Sequence, residues 1–515
     1  MLPRLAVRVA ALLAALCFAS DPHRAQTTLD WSGGLLGGSV AYHLAGDPGE
    51  LFGLKPSLST GPTPLPGGTL DIGLDLIGLL QVGLLSPATG TATLVLPLPT
   101  DVAFAGVAIH AQFVTFPGAG VLVDDVSNRA TFVASAGDSM HNTFGACHVA
   151  RSGHTASLLP DGSVLVAGGD EPQGSMLVPL ASLERYDPVR QEFALLATTL
   201  PAARSTHTAT TLADGRILLA GGYDDSGVVV ATADVFDPAT GLVTPTGPMN
   251  QARTQHTATL LADGRVLVVG GSALFDLGQV LSSLAQAKKS TELYDPLSNT
   301  WTSGPTLPIG SNVGVIGQAA SLLGNGQVLV TGGVLVASFL GIPIPSFSDD
   351  AWRYDPGTGA FVATAGMAEE RAYHGSITLP DGTALVAGGA DGDFTALSFF
   401  TRTGCERYDA ATNSWTSAPA LNHARAYPNL VDTGSAIVVV GGLANADVAT
   451  GSGTPETITE SIDHGLGGWS AGPATILPRE VARAVAIDAG ARVLFVGTGL
   501  DGQPTADRTA EQLVR

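Results

Sequence analysis

From about residue 150 onward, short apolar runs recur in a fixed setting. Val164-Leu-Val-Ala, Ile217-Leu-Leu-Ala, Val266-Leu-Val-Val, Val328-Leu-Val-Thr, Ala384-Leu-Val-Ala and Ile437-Val-Val-Val each end in a double glycine, at 168–169, 221–222, 270–271, 332–333, 388–389 and 441–442. A degenerate seventh copy, Gly497-Thr-Gly499, closes the series, and successive starts are 53, 49, 62, 56, 53 and 56 residues apart. Four-residue apolar runs bounded by glycine predict strands buried on both faces. A period near fifty residues predicts one supersecondary unit repeated.

The flanks of each run complete the unit. Arg151-Ser-Gly-His154-Thr-Ala-Ser-Leu-Leu precedes the first run and turns at Asp161-Gly162, and the same phrase recurs at Arg204, Arg253 and Arg371. Asp-Gly between two apolar runs predicts a two-residue hairpin turn. A third strand follows the glycines and ends at an acidic-aromatic-proline corner, as in Glu184-Arg-Tyr-Asp-Pro188, Asp234-Val-Phe-Asp-Pro238, Glu292-Leu-Tyr-Asp-Pro296 and Tyr354-Asp-Pro356. A fourth strand opens at Phe193, Trp301, Phe361, Trp415 or Trp469. Four strands cannot bury both faces alone, so neighbouring units must stack radially.

The ordered phrase Arg-x-x-His, Asp-Gly, Gly-Gly, Glu-x-Tyr-Asp-Pro, Trp resembles the kelch repeat, found in kelch propellers and in the central domain of galactose oxidase. The resemblance covers residues 138–515 and implies an all-β, seven-bladed kelch-type β-propeller. First strands are expected near Arg151, Arg204, Arg253, Val315, Arg371, Arg425 and Arg479. The chain stops soon after the third strand of the seventh blade, Thr509-Ala-Glu-Gln-Leu-Val. Residues 138–149 are the expected donor of that blade's outer strand.

The remaining residues do not share the repeat. Residues 27–136 hold short apolar segments separated by Pro64-Leu-Pro-Gly-Gly, Pro87-Ala-Thr-Gly and Pro117-Gly-Ala-Gly, which predicts a small β-sandwich in front of the propeller. The stretch from Leu96 to Gln112 resembles a β module of secreted bacterial proteins, which implies an attachment or spacer role. Residues 1–25 read as an export signal, with Arg4 and Arg8 ahead of the apolar stretch Val9–Phe18. The protein is therefore expected to be secreted or envelope-associated, without a transmembrane segment and as a monomer. Cys147 and Cys405 fall in different blades and are not expected to bond.

Composition narrows the partners. The chain of 515 residues carries 45 acidic and 24 basic residues, a formal net charge of −21, and only three lysines, Lys55, Lys288 and Lys289. With no basic stripe, nucleic acid is excluded as the expected partner. No glycine-rich segment opens a helix and no serine nucleophile elbow occurs, so phosphate-cradling and serine-hydrolase chemistry are not indicated.

Function is expected where the connections vary. The Asp-Gly and Asp-Pro turns make one rim short and uniform, whereas the links after the glycine pairs and between blades vary. Blade three has 272–290, with Lys288-Lys289 and a short helix expected over 281–288, and blade four has an apolar loop over 334–350 carrying Phe339 and Phe347. Long loops on a rigid scaffold are where binding resides. The resemblance further implies arginines at the channel mouth as ligand contacts, which nominates Arg151, Arg204, Arg253, Arg371 and Arg425; pairing with acids between blades is the competing role. His154, His207, His256 and His374 share one slot, filled by Gln318 in blade four and Pro428 in blade six, and are expected to bridge adjacent blades. The expected function is thus binding of a protein or glycan without a cofactor.

A copper radical oxidase is the alternative. Galactose oxidase holds one copper with two histidines and two tyrosines, one of them cross-linked to cysteine. Arg371-Ala-Tyr373-His374 resembles its tyrosine–histidine segment. The position expected for the cross-linked tyrosine holds His207, that of its cysteine holds His154, and Cys147 lies seven residues earlier. The family's last histidine belongs to a further carboxy-terminal domain that has no counterpart in these residues. Asp391-Gly-Asp393 and Asp224-Asp225 lack EF-hand spacing and are read as loop acids rather than calcium ligands. A purely structural envelope component is the third reading.

Overall fold

The fold is taken from a computed structural model, which describes separate strands between residues 28 and 142 and, from 147 on, all but 174–175, 275–283, 340–341, 448–451, 476–482, 498–509 and 515. The export signal expected over residues 1–25 and Arg479, the residue expected at the seventh blade's first strand, lie outside the described residues. Two compact units are present. In the amino-terminal unit, one sheet joins Thr28–Gly33, Ser39–Ala45 and Thr91–Pro97, and a second joins Ala130–Val133, Ala108–Phe116, Leu51–Ser57 and Gln81–Leu84. Alternate residues Tyr42 and Leu44, and Phe52 and Leu54, are buried, as a two-layered β-fold requires.

From residue 139 on, the described residues form seven four-stranded sheets. Blade one runs Thr155–Leu158, Val164–Ala167, Ser182–Asp187, Glu192–Thr199 from first to fourth strand, and blades two to six repeat that order. The seventh sheet runs Arg483–Ile487, Arg492–Val496, Glu511–Val514, Ser139–Asn142, so its fourth strand precedes blade one in sequence. Each first strand lies beside the next blade's first strand, and Arg483–Ile487 packs beside Thr155–Leu158. The ring of blades is closed, and the protein is an all-β, seven-bladed kelch-type propeller.

The second strands are buried throughout, because they lie between the faces of two neighbouring sheets. The Tyr-Asp-Pro corner supplies packing as well as a turn. Tyr186 meets Phe193 at 4.8 Å between ring centroids, Tyr294 meets Trp301 at 5.1 Å and Tyr354 meets Phe361 at 5.2 Å, each pair directly opposed in register.

The Asp-Gly hairpins have three-residue loops, not the two-residue turns expected. Leu159 N–H donates to Ser163 O and Gly162 N–H to Leu159 O, and only Gly162 in the loop has positive φ, at 84°. A two-residue type I′ turn would need both central residues left-handed. Asp161 instead accepts the Ser163 N–H at 3.1 Å, and Asp214, Asp263 and Asp381 repeat the contact in blades two, three and five.

The double glycine is the seam between blades. Gly169 N–H donates to Arg204 O of the next blade at 2.9 Å, Gly222 to Arg253 O, Gly333 to Arg371 O and Gly389 to Arg425 O. A Cβ on Gly168 would stand 2.5 Å from Arg204 O and 2.9 Å from the His207 ring. Only glycine allows the blades that close.

Candidate functional site

The five arginines of the recurring phrase are internal to the blades, which corrects their expected place at the mouth. Arg151, Arg204, Arg253, Arg371 and Arg425 are all buried. Each pairs with the acid on its own third strand: Arg151 with Glu184 at 2.5 Å, Arg204 with Asp234, Arg253 with Glu292 at 2.8 Å, Arg371 with Glu406 at 2.8 Å and Arg425 with Glu460 at 2.7 Å. Each also donates to the carbonyl of its own first glycine. The glutamates in turn cap backbone: Glu292 accepts the N–H groups of Asn250 at 2.6 Å and Gln251 at 3.0 Å. A buried charge pair persists only with its remaining donors and acceptors engaged, and these arginines are consumed by that duty.

Blade four shows the same logic by omission. Val315 replaces the arginine, and Trp352 occupies the register position of Glu292. Both are buried in one apolar cluster. Acid and base disappear together, a covariation between repeats that marks them as partners within a single sequence.

The histidines bridge blades, as their recurrence suggests. His207 Nε2 lies 3.0 Å from Thr155 Oγ1, His256 Nε2 3.0 Å from Thr208 Oγ1 and His374 Nε2 2.8 Å from Thr331 Oγ1, in each case on the preceding blade. Gln318 fills the slot in blade four by donating to Val269 O at 2.9 Å. Burial, reinforced by Arg253 and Arg371 respectively, pushes His256 and His374 down to about 3. Burial likewise holds His154 and His207 well below the ordinary histidine range.

A pH dependence follows. These rings are neutral in the fold but take a proton in the unfolded chain below about 6.5. Stability is therefore full above pH 6.5 and falls as pH drops toward about 3, each histidine contributing up to about 1.4 kcal/mol per pH unit. Asp170 and Asp234, whose carboxyl pKa burial raises, act in the opposite sense between the ordinary carboxylate value and their raised ones. Urea midpoints between pH 7.5 and 4.5 should fall, and His256→Gln, which copies Gln318, should flatten the slope by about one proton. An unchanged slope would mean that His256 is not a buried neutral ring.

Just before the histidine slot sits a left-handed residue in each of blades one to six: Gly153, Thr206, Gln255, Gly317, Tyr373 and Tyr427, with φ between 53° and 71°. These positions precede the innermost strands. Thr206 N–H donates to Gly153 O, Tyr373 N–H to Gly317 O and Tyr427 N–H to Tyr373 O. Tyr373 and Tyr427 pack together at 4.6 Å between centroids, and burial pushes Tyr373 up to about 12. Around them lies an apolar cluster that includes Ile316, Val334, Phe347, Phe394, Phe399 and Leu443. The blade-one and blade-two side is polar: Ser205 Oγ donates to Asp170 Oδ2 at 2.5 Å and Tyr223 OH to the same oxygen at 2.6 Å.

The extra chain on this rim is ordered as hairpins. The blade-four segment, expected as a loop, forms strands Val334–Phe339 and Ile342–Phe347, and Val313–Ile316 pairs with the first. Pro343 and Pro345 hid the second strand, but it is an edge strand, where missing N–H groups are tolerated. Similar hairpins follow the glycines of blades one, five and six, at Asp170–Pro179, Ala390–Thr401 and Leu443–Pro455. Phe347 is buried against Phe394 at 5.1 Å, whereas Phe339 is 65% exposed beside Ile342 at 64%. Of the helix expected over 281–288, residues 281–283 lie outside the described residues, Leu284 is helical, and Ala287 and Lys288 form β-bridges with Ser272 and Val315.

The loop acids are occupied by their own turns. Asp391 pairs with Arg402, Asp393 accepts the Thr395 N–H at 2.7 Å and Asp224 the Ser226 N–H at 3.0 Å. Cys147 and Cys405 are both buried, and burial pushes the Cys405 thiol up to about 11. Nor do the residues compared with the copper ligands of galactose oxidase form a set. His207 and His374 each face a threonine across a different blade seam, and Tyr373 is engaged by Tyr427. Among the described residues no three of histidine, cysteine, aspartate and glutamate are grouped to hold a metal.

No protein-family model matches the chain. No curated protein matches it either. Among solved structures it resembles a fungal alcohol oxidase of the AA5 family in complex with copper, at 18% identity and TM-score 0.52, over 73% of this chain and 75% of that one. It also resembles YjhT, at 15% identity and TM-score 0.46, over 64% of this chain and 99% of that one. The likeness to the oxidase extends to the fold alone.

Proposed function

We propose that this propeller is a binding protein without enzymatic activity, using the hairpin-bearing rim to hold a saccharide or protein. One observation carries the reading: the inserted hairpins of blades four and five, which share one rim, both carry exposed apolar side chains. Phe339, Ile342 and Ile344 project from the blade-four hairpin, and Leu397 and Phe400 from that of blade five. Exposed apolar groups gathered on ordered hairpins mark interaction surfaces. Export from the cytoplasm is part of this reading, motivated by the charged and apolar pattern of residues 1–25.

The purified chain should bind selected members of a glycan array or a panel of purified envelope proteins. Phe339→Ser combined with Ile342→Ser should weaken that binding at least tenfold while leaving thermal unfolding in place. Blank arrays with a correctly folded chain would favour the purely structural role.

A copper radical oxidase is the second reading, favoured by the fold shared with a copper-complexed alcohol oxidase and by Tyr373 beside Tyr427. The residues described do not fit a copper set, so no step is assigned to them. Tight uptake of one copper together with peroxide release on a panel of alcohols, sugars and aldehydes would establish this reading and displace the first.

A further inference from the structure

Two of the three lysines in this acidic chain are adjacent, and both line one pocket. The pocket lies beside the blade-three link and the blade-four hairpin and has a volume of about 630 Å³. That is within the usual range for small-molecule sites. Lys288 and Lys289 contribute to its lining, and no aspartate or glutamate does. In a chain with 45 acids and 24 bases, a pocket with that balance stands against the general field.

The cations are not spent elsewhere. Lys289 Nζ donates to Gly310 O at 3.3 Å, and neither lysine has an ion pair among the described residues. Arg253, which acts on Lys288 from within the blade, is itself neutralised by Glu292. The remaining wall suits a hydroxylated ligand. Gln286 and Asn312 carry side-chain amides with no hydrogen bond to any described residue, and Thr306 and Ser311 add hydroxyls. Such groups both donate and accept, as sugar hydroxyls do. Pro343 and Val313 offer an apolar surface for the C–H face of a ring.

We propose that this pocket binds an anionic saccharide, with Lys288 and Lys289 engaging its carboxylate or sulfate group and the amides and hydroxyls engaging its ring. This rests on the binding reading above and names the ligand class and the place on the rim.

Calorimetry on the full chain with oligogalacturonates, sulfated chondroitin oligosaccharides and neutral cello-oligosaccharides of matched length tests it, the two acidic series separating carboxylate from sulfate. At least one acidic series should bind, with the neutral series at least tenfold weaker. Lys288→Gln combined with Lys289→Gln should lose at least tenfold, whereas Arg216→Gln, on an Asp-Gly hairpin of the opposite rim, should change nothing. The single Lys288→Gln variant and a salt titration of the unaltered chain guard against misfolding of the double variant: binding should weaken as salt screens partly exposed charges. Equal binding of neutral and acidic sugars, or an unaffected double variant, overturns the proposal but leaves a saccharide-binding rim. Absence of binding to all three series overturns the proposal and removes the saccharide from the broader reading.

Discussion

Arg253→Ala is expected to lower the stability of the propeller by about 3–5 kcal/mol, the cost of stranding a buried partner charge. Glu292 is 1% exposed and would keep the Asn250 and Gln251 N–H groups but lose its cation. Gly270 O and Ser290 O would lose their shared guanidinium donor at the seam to blade four. A domain's whole stability is about 5–15 kcal/mol, so the effect should be visible at ambient temperature. Tryptophan fluorescence in urea reads it, since Trp301, Trp352, Trp415 and Trp469 all belong to the propeller. Adding Glu292→Leu should restore part of the loss, because blade four replaces the pair with Val315 and Trp352 and still packs. A single-variant loss under about 1 kcal/mol would contradict a stranded charge.

Gly168→Ala should be nearly as damaging for a different reason. Gly168 has φ of 60°, which costs an L-residue about 1–2 kcal/mol. Its Cβ would also stand 2.5 Å from Arg204 O, which overpacking data place at about 1–3 kcal/mol more. Relief requires blade two to move away, breaking the 2.9 Å bond from Gly169 N–H to Arg204 O. Gly241→Ala separates the two effects. Gly241 has φ of 70°, but nothing lies within 4 Å of the point a Cβ would occupy, so it should show the backbone strain alone. Equal losses at both glycines, measured by urea denaturation, would show that close approach of the blades contributes nothing.

The scaffold was legible because its cues are local. An apolar run with its glycine pair, an aspartate beside the hairpin glycine, and a tyrosine seven residues before an aromatic each act within a few residues, as Tyr186 and Phe193 do. The duty of the arginines was not legible from one repeat, because Arg253 and Glu292 lie 39 residues apart and meet only when the first and third strands share a sheet. Their joint absence from blade four was the signal available. The hairpin of blade four was obscured by Pro343 and Pro345, whose meaning depends on whether a strand is central or at an edge. The lysine pocket depends on side chains brought together from 251 to 343, and no spacing rule anticipates it.

The glycine seam has a further consequence for how such a protein can change. Its hydrogen bonds to the next blade are made before the chain departs into each hairpin. A rim segment can therefore be lengthened, shortened or exchanged for that of another blade while the closure beneath it stays intact. Recognition can drift by transplantation of whole hairpins, with the ring serving as an unaltered chassis.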